Sequence, residues 1–344
     1  MRILITGAAG FLGSHLMLRH LMLGDEVLGI DNYCSSSPRS LHVKRIQSLC
    51  KSTGRGLLFN ADINKEKSDN YSHNTVDEAL DNFYTLGHGD NPIDLIYNFA
   101  CPASPPVYQR MPIETLMTCT FGVKNILDLA SEHRAKVVHA STSEIYGDPE
   151  ISPQNESYRG SVNTWGPRSN YDEGKRCAEA LCYEYLQKGV DVRVARIFNT
   201  YGPHLDPNDG RVISNFIMQA GNNKPITIYG SGLQTRSFCY VTDLIRGITS
   251  LSESENFLMP INIGNPTEFT ILELSSLIYK MFPNAPDLIP QQLPVDDPTR
   301  RCPDIWLAKG ILKWEPKVSL SEGLYKLASE WFEQGIIVER PIQI

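Results

Sequence analysis

The sequence predicts an α/β chain, a doubly wound parallel sheet joined to a smaller C-terminal α/β lobe. Three observations carry this. Short apolar runs alternate with helical patterns over residues 1–200, as parallel strands covered on both faces require. A glycine-rich turn, Gly7-Ala8-Ala9-Gly10-Phe11-Leu12-Gly13, separates the first run from the first helix. After Pro203 the composition changes to segments punctuated by proline and glycine, with arginines at intervals.

In chain order, strands are expected at 2–6, 26–30, 56–59, 94–99, 136–140 and 192–197. The first helix is expected through 14–23, and two long helices at 115–132 and 171–188. Polar, irregular residues 64–91 read as a surface insertion with one helical piece near 76–86. Thr270-Ile271-Leu272-Glu273 has the pattern of a capping box opening a helix to Met281, and a last helix is expected over 321–334. The expected division is a Rossmann-type domain over 1–200 with a return segment near 238–264, and a second domain over 201–237 and 265–344.

At 344 residues the chain can bury a large core. A net charge of −7 speaks against nucleic acid or an anionic membrane as partner. Eight cysteines without a CxxC pair read as scattered reduced thiols, and eight histidines without HExxH or HxxxH spacing give a metal site no support. No apolar run reaches membrane-spanning length and no signal-peptide pattern precedes the first strand, so a cytoplasmic chain is expected.

The glycine turn carries the first chemistry. Gly7, Gly10 and Gly13 let backbone approach a pyrophosphate, and the helix opening at Phe11 and Leu12 points its N–H groups at it. Asp31, ending the second strand, suits a ribose with free hydroxyls and repels a 2′-phosphate, which favours NAD over NADP. Tyr171 and Lys175 lie four apart on one helix face, so the ammonium is expected to lower the phenol pKa toward working range. Thr142, Ser143 and Glu144 follow a strand end and add hydroxyls and a carboxylate. Together these groups suit oxidation of an alcohol by hydride removal. Several positions stay open: Asp62 is a turn residue or an adenine contact, and Asn199 a tight-turn residue or a phosphate ligand. Arg236 follows the turn Tyr229-Gly230-Ser231-Gly232, where it suits a diphosphate. Arg300 and Arg301 are ligands or members of a surface ion cluster with Asp296, Asp297 and Asp304.

These pieces together resemble the extended short-chain dehydrogenase/reductase family of nucleotide-sugar enzymes, and within it the UDP-glucuronate decarboxylase group. The likeness is densest at Ala100 to Pro105, Ser141 to Pro149, Gly166 to Arg176 and Asp296 to Asp304. It implies Tyr171 as the base at the C4 hydroxyl, Lys175 at the nicotinamide ribose and Thr142 at the C4 oxygen. It further implies Glu144 and Ser143 near C5 and the carboxylate, and Arg301 in decarboxylation. The NAD site would take Gly7, Gly10, Phe11, Leu12, Gly13, Asp31, Asn32, Asp62 and Ala100. The UDP-sugar would take Pro105, Tyr108, Asn199, Arg211, Tyr229, Gln234 and Arg236. A homodimer formed through the two long helices is also implied. The chain departs from the family pattern at Asn98-Phe99-Ala100 (commonly His-Leu-Ala), at Cys119 (usually Asn), in the Asn32 to Ser35 loop and over 64–91. The rival expectations are another UDP-uronate, release of the 4-keto pentose, a 4,6-dehydratase or 4-epimerase, or a silent NAD-binding regulator.

Overall fold

A computed structural model describes residues 1–65, 74–88, 91–255, 257–292 and 300–344. The first half builds β1 (Arg2–Thr6), α1 (Phe11–Leu23), β2 (Glu26–Asp31), α2 (Leu41–Thr53), β3 (Gly56–Asn60), α3 (Val76–Phe83) and β4 (Leu95–Asn98). Then come α4 (Pro105–Arg110), α5 (Pro112–Met117), α6 (Val123–His133), β5 (Lys136–Thr142), α7 (Ser169–Gln187) and β6 (Val192–Ile197). The strands form one seven-stranded sheet in the order Ile261–Ile263, β6, β5, β4, β1, β2, β3, with every pairing parallel. All five residues of β1 are buried, because a central parallel strand has helices on both faces.

The strand order reverses between β1 and β4, so the crevice at their carboxyl ends is the switch point where such sheets bind ligands. The Gly7 loop, the Ala100 segment and Thr142 all open onto it. A two-stranded sheet pairs Thr200–Tyr201 with Cys239–Tyr240, and a three-stranded one joins Glu268–Thr270, Thr235–Ser237 and Arg300–Arg301.

Most expected elements stand within two residues. Three differences matter. β5 runs two residues further than expected because Ser141 and Thr142 still pair with Arg196 and Ile197. The expected 115–132 helix is α5 and α6 joined by a π-helical segment, Thr118–Gly122. The seventh strand, Ile261–Ile263, was expected only as a return segment; three residues are too few to show periodicity. The Thr270 capping box is complete, with Thr270 Oγ1 accepting from Glu273 N and Thr270 N donating to Glu273. Of the 64–91 insertion, the described part holds α3 and a π-turn at Tyr84–His88. No described helix is long and apolar enough to cross a membrane.

Candidate active site

A cavity of about 1240 Å³ opens over the switch point, and every residue singled out from the sequence as a site candidate except Arg300 lies on its wall. On the β1–α1 side the wall is mostly backbone. Gly7 has φ +69°, and a Cβ there would lie 2.8 Å from Phe99 O. A Cβ on Gly13 would lie 2.1 Å from Gly7 O, so strand, turn and helix close up only with glycine at both positions. Gly10 starts α1 with no side chain capping it, which leaves first-turn N–H groups facing the cavity. Asp31 accepts from Ala9 N at 3.0 Å, Tyr33 N at 2.8 Å and Ser36 Oγ at 2.9 Å. Burial nonetheless raises its carboxyl pKa.

Across from it, Asn32 Nδ2 donates to Asp62 Oδ2 at 3.0 Å, and Asp62 Oδ1 accepts from Asn64 N at 2.9 Å. Asp62 is therefore a turn residue that also faces the cavity. Ala100 N donates to Thr6 Oγ1 at 3.0 Å, which ties the β4 end to β1. An uncapped helix start, a glycine cradle and an acid at the second strand end fit a dinucleotide with an unphosphorylated ribose.

The sheet's carboxyl edge supplies the polar side chains. Extended β5 carries Thr142 to the rim, and a 3-10 turn, Ser143–Tyr146, swings Glu144 inward. Thr142 Oγ1 accepts from Glu144 N at 3.2 Å, and Ser143 Oγ donates to Glu144 Oε1 at 3.5 Å. α7 buries Tyr171 and Lys175 on one face, as the four-residue spacing requires. Lys175 Nζ donates to Ala140 O at 2.8 Å and lies 5.9 Å from the Tyr171 ring centre. Tyr108 of α4 stacks on Tyr171 with ring centres 5.0 Å apart, and its buried hydroxyl has no partner among the described residues.

Arg301 reaches this site from far downstream. It is 1% exposed, donating to Gly147 O at 2.7 Å and to Glu144 Oε2 at 3.0 Å. Its neighbour Arg300 points outward and meets Glu268 at 3.4 Å. Arg300 is thus an exposed partner of Glu268 and Arg301 is buried in the site; Asp296 and Asp297, two of the three acids expected to form a cluster with them, lie outside the described residues. On the C-terminal wall, Arg211 pairs with Asp209 at 3.1 Å and donates to Ala103 O at 3.1 Å. Gln234 Nε2 donates to Tyr229 O at 2.8 Å, and Arg236 Nη1 donates to Thr235 O at 2.9 Å. Asn199 O accepts from Cys239 N at 2.8 Å, a long-range bond beside the Thr200–Tyr201 and Cys239–Tyr240 pairing, and the residue also lines the cavity. Pro105 sits at the first turn of α4, where its missing N–H costs nothing.

One expectation is corrected. The Tyr171 phenol is not lowered in the protein alone: burial pushes it well above its ordinary value, charge on Cys101 adds to this, and a bond with Thr142 only partly opposes it. Lys175 spends a bond on Ala140 O and stands almost 6 Å from the ring. Glu144 behaves oppositely. Burial would raise it, yet Arg301 and Arg168, with Arg236 behind them, hold it down to about 2.

Arg168, inside the Gly166 to Arg176 block, has no role that the sequence alone assigns. It lies at the start of α7 and bonds Glu144, with Asp172 3.7 Å away. Burial and the Glu144 charge raise Asp172 to about 7. The four-residue spacing of Arg168 and Asp172 was visible; their meeting with Glu144 was not. The cysteines are also less scattered than expected, since Cys101 and Cys119 have Sγ atoms 3.3 Å apart.

Residues 3–264 match the NAD dependent epimerase/dehydratase family. The chain is 48% identical over 328 residues to UDP-glucuronic acid decarboxylase 1 of Danio rerio, covering 94% of this chain and 71% of that protein. It is 43% identical to UDP-glucuronic acid decarboxylase 3 of Arabidopsis thaliana, covering 99% and 91%. Among solved structures, UDP-glucuronic acid 4-epimerase from Bacillus cereus, in complex with UDP-glucuronic acid and NAD, superposes with a TM-score of 0.81 at 28% identity over 97% and 99% of the chains. The chain belongs to the NAD dependent epimerase/dehydratase family, and its sequence groups it with the UDP-glucuronic acid decarboxylases.

Proposed function

We propose that this protein decarboxylates UDP-glucuronate to UDP-xylose, with NAD held by the Gly7–Gly13 turn, Asp31, Asn32, Asp62, Ala100 and Lys175. The observation that carries the reading is Glu144 gripped by Arg168 and Arg301 in the cavity that also holds Thr142 and Tyr171. Two guanidiniums against one carboxylate leave positive charge that a uronate carboxylate can use and a neutral hexose does not need.

NAD bound there supplies a reversible hydride acceptor for the C4 hydrogen and a positive charge that favours phenolate. Tyr171 takes the C4 hydroxyl proton, and Thr142 holds the C4 oxygen. With C4 a ketone, the C5 carboxylate is β to it. CO₂ then leaves because the remaining electron pair delocalises into the carbonyl. Glu144 and Ser143 stand at C5, where the enol must gain a proton, and Arg301 with Arg168 orients the carboxylate that departs. Tyr171 returns its proton when the C4 ketone is reduced. Arg211, Arg236, Gln234, Tyr229 and Asn199 hold the UDP, and Pro105 and Tyr108 border the sugar.

Residues 1–200 with 238–264 form the cofactor domain in this reading, and 201–237 with 265–344 the sugar-nucleotide domain. A homodimer is part of the proposal, supported by Ile113, Met117 and Tyr183 standing exposed on α5 and α7. Purified protein given UDP-glucuronate should release CO₂ and yield UDP-xylose by NMR. UDP-galacturonate as product, or no turnover while another uronate is consumed, would overturn the assignment.

A further inference from the structure

Two cysteines that the proposed chemistry does not use meet beside Lys175. Cys101 follows β4 in the segment leading to α4, partly buried on the cavity wall. Cys119 lies in the π-helical segment Thr118–Gly122, 1% exposed. Such a segment is an uncommon irregularity that recurs at functional sites. Cys119 is packed in place, since a Cβ on Gly174 of α7 would lie 3.0 Å from its Cβ and 3.3 Å from its Sγ. The two Sγ atoms are 3.3 Å apart, and a disulfide needs them about 1.2 Å closer, at roughly 2.05 Å. The Cys101 side is a loop, which can yield that distance. The Cys119 hydrogen bond and the Lys175 ammonium bring the Cys101 thiol down to about 7, although burial opposes them.

We propose that Cys101 and Cys119 are a redox pair: a hydroperoxide converts them to a disulfide across the cofactor wall, and closure reversibly switches the site off. The Cys101 thiolate attacks the peroxide, the O–O bond breaks, and Cys101 becomes a sulfenic acid while the leaving oxygen takes a proton. Cys119 then loses its proton and attacks the Cys101 sulfur; the S–S bond forms, the S–O bond breaks, and water leaves. Two thiols and one H₂O₂ give one disulfide and two waters, with two electrons passing from sulfur to oxygen. The closed form removes the charged sulfur beside Lys175. It also pulls on the loop whose Ala103 O accepts from Arg211, so both ends of the cavity feel it. The pair stands on its own geometry and does not depend on which sugar is turned over.

The test is stoichiometric H₂O₂ on the full chain with and without NAD, read by intact mass, peptide mapping, NAD affinity and turnover. The expected result is a loss of about 2 Da, a mapped 101–119 link, and at least a roughly tenfold fall in NAD affinity or turnover that dithiothreitol reverses. Bound NAD should slow closure. Cys119→Ser should stop at a dimedone-trappable sulfenic acid on Cys101, and Cys101→Ser should show neither species. Absence of the 101–119 link in the wild type, a link without functional loss, or equal reversible inactivation of wild type and Cys119→Ser would overturn the proposal. The mapping on wild type decides even if a variant folds poorly.

Discussion

The two ends of the cavity are built by different means. The cofactor end is local: Gly7 to Gly13 is one contiguous turn, held by strand-to-helix closure and backbone donors. The sugar end is assembled: Glu144, Arg168 and Arg301 come from a 3-10 turn, a helix start and a two-residue strand, and meet only in the fold. The local end depends on the absence of side chains, and the assembled end on compensated charge. Substitutions should therefore fail differently at the two ends, by steric loss of cofactor at one and by loss of turnover with cofactor retained at the other.

The largest effect expected is at Tyr171. Tyr171→Phe should lose about 10²–10⁴-fold in turnover while retaining NAD, since it removes one proton carrier and little volume. Equal loss of NAD and turnover would erase the contrast between the ends. Next comes Gly13→Ala, whose methyl would collide with Gly7 O. Calorimetry should show NAD affinity collapsing and a lower Tm, from overpacking on the order of 1–3 kcal/mol. Unchanged affinity would mean the turn is not what holds the cofactor.

Arg168→Met probes the assembled end. Glu144 is depressed, so its stabilising contribution is present above the unfolded carboxylate range and lost as pH falls toward about 2. Removing Arg168 should raise the Glu144 pKa and move the acid limb of the turnover profile upward. A profile superposable on wild type would exclude Arg168 from the grip. Asp172 has the opposite sign: its pKa is raised to about 7, so stability is greatest below the unfolded range and declines as pH rises toward neutrality. Thermal melts of Asp172→Asn should lack that decline. The smallest effect should be Arg300→Ala, next in sequence to Arg301. Its exposed pair with Glu268 is worth about 1 kcal/mol or less, and turnover should stay near wild type.

This division also explains what the sequence made legible. The Gly7–Gly13 turn, Asp31 and the Tyr171/Lys175 spacing are short-range patterns, and they fall in one turn, at one strand end and on one helix face. Ser141 and Thr142 were missed as strand residues because only pairing with Arg196 and Ile197 extends β5. Arg301 and Arg300 looked alike in sequence, since neighbouring strand residues face opposite sides and only the fold decides which one turns to Glu144 and which to Glu268. Arg168 showed only its motif and its four-residue spacing to Asp172, neither of which points to Glu144. The Tyr171 pKa went the wrong way because helical spacing says nothing about burial or where the Lys175 ammonium spends its hydrogen bonds.

The proposed reaction is a closed cycle in which C4 is oxidised, CO₂ departs from C5 and C4 is reduced again in the same cavity. Turnover of UDP-glucuronate in D₂O, read by NMR, tests it most directly. UDP-xylose carrying one deuterium at C5 and none at C4 is the expected product. A six-carbon product, or a pentose with no deuterium at C5, would contradict it.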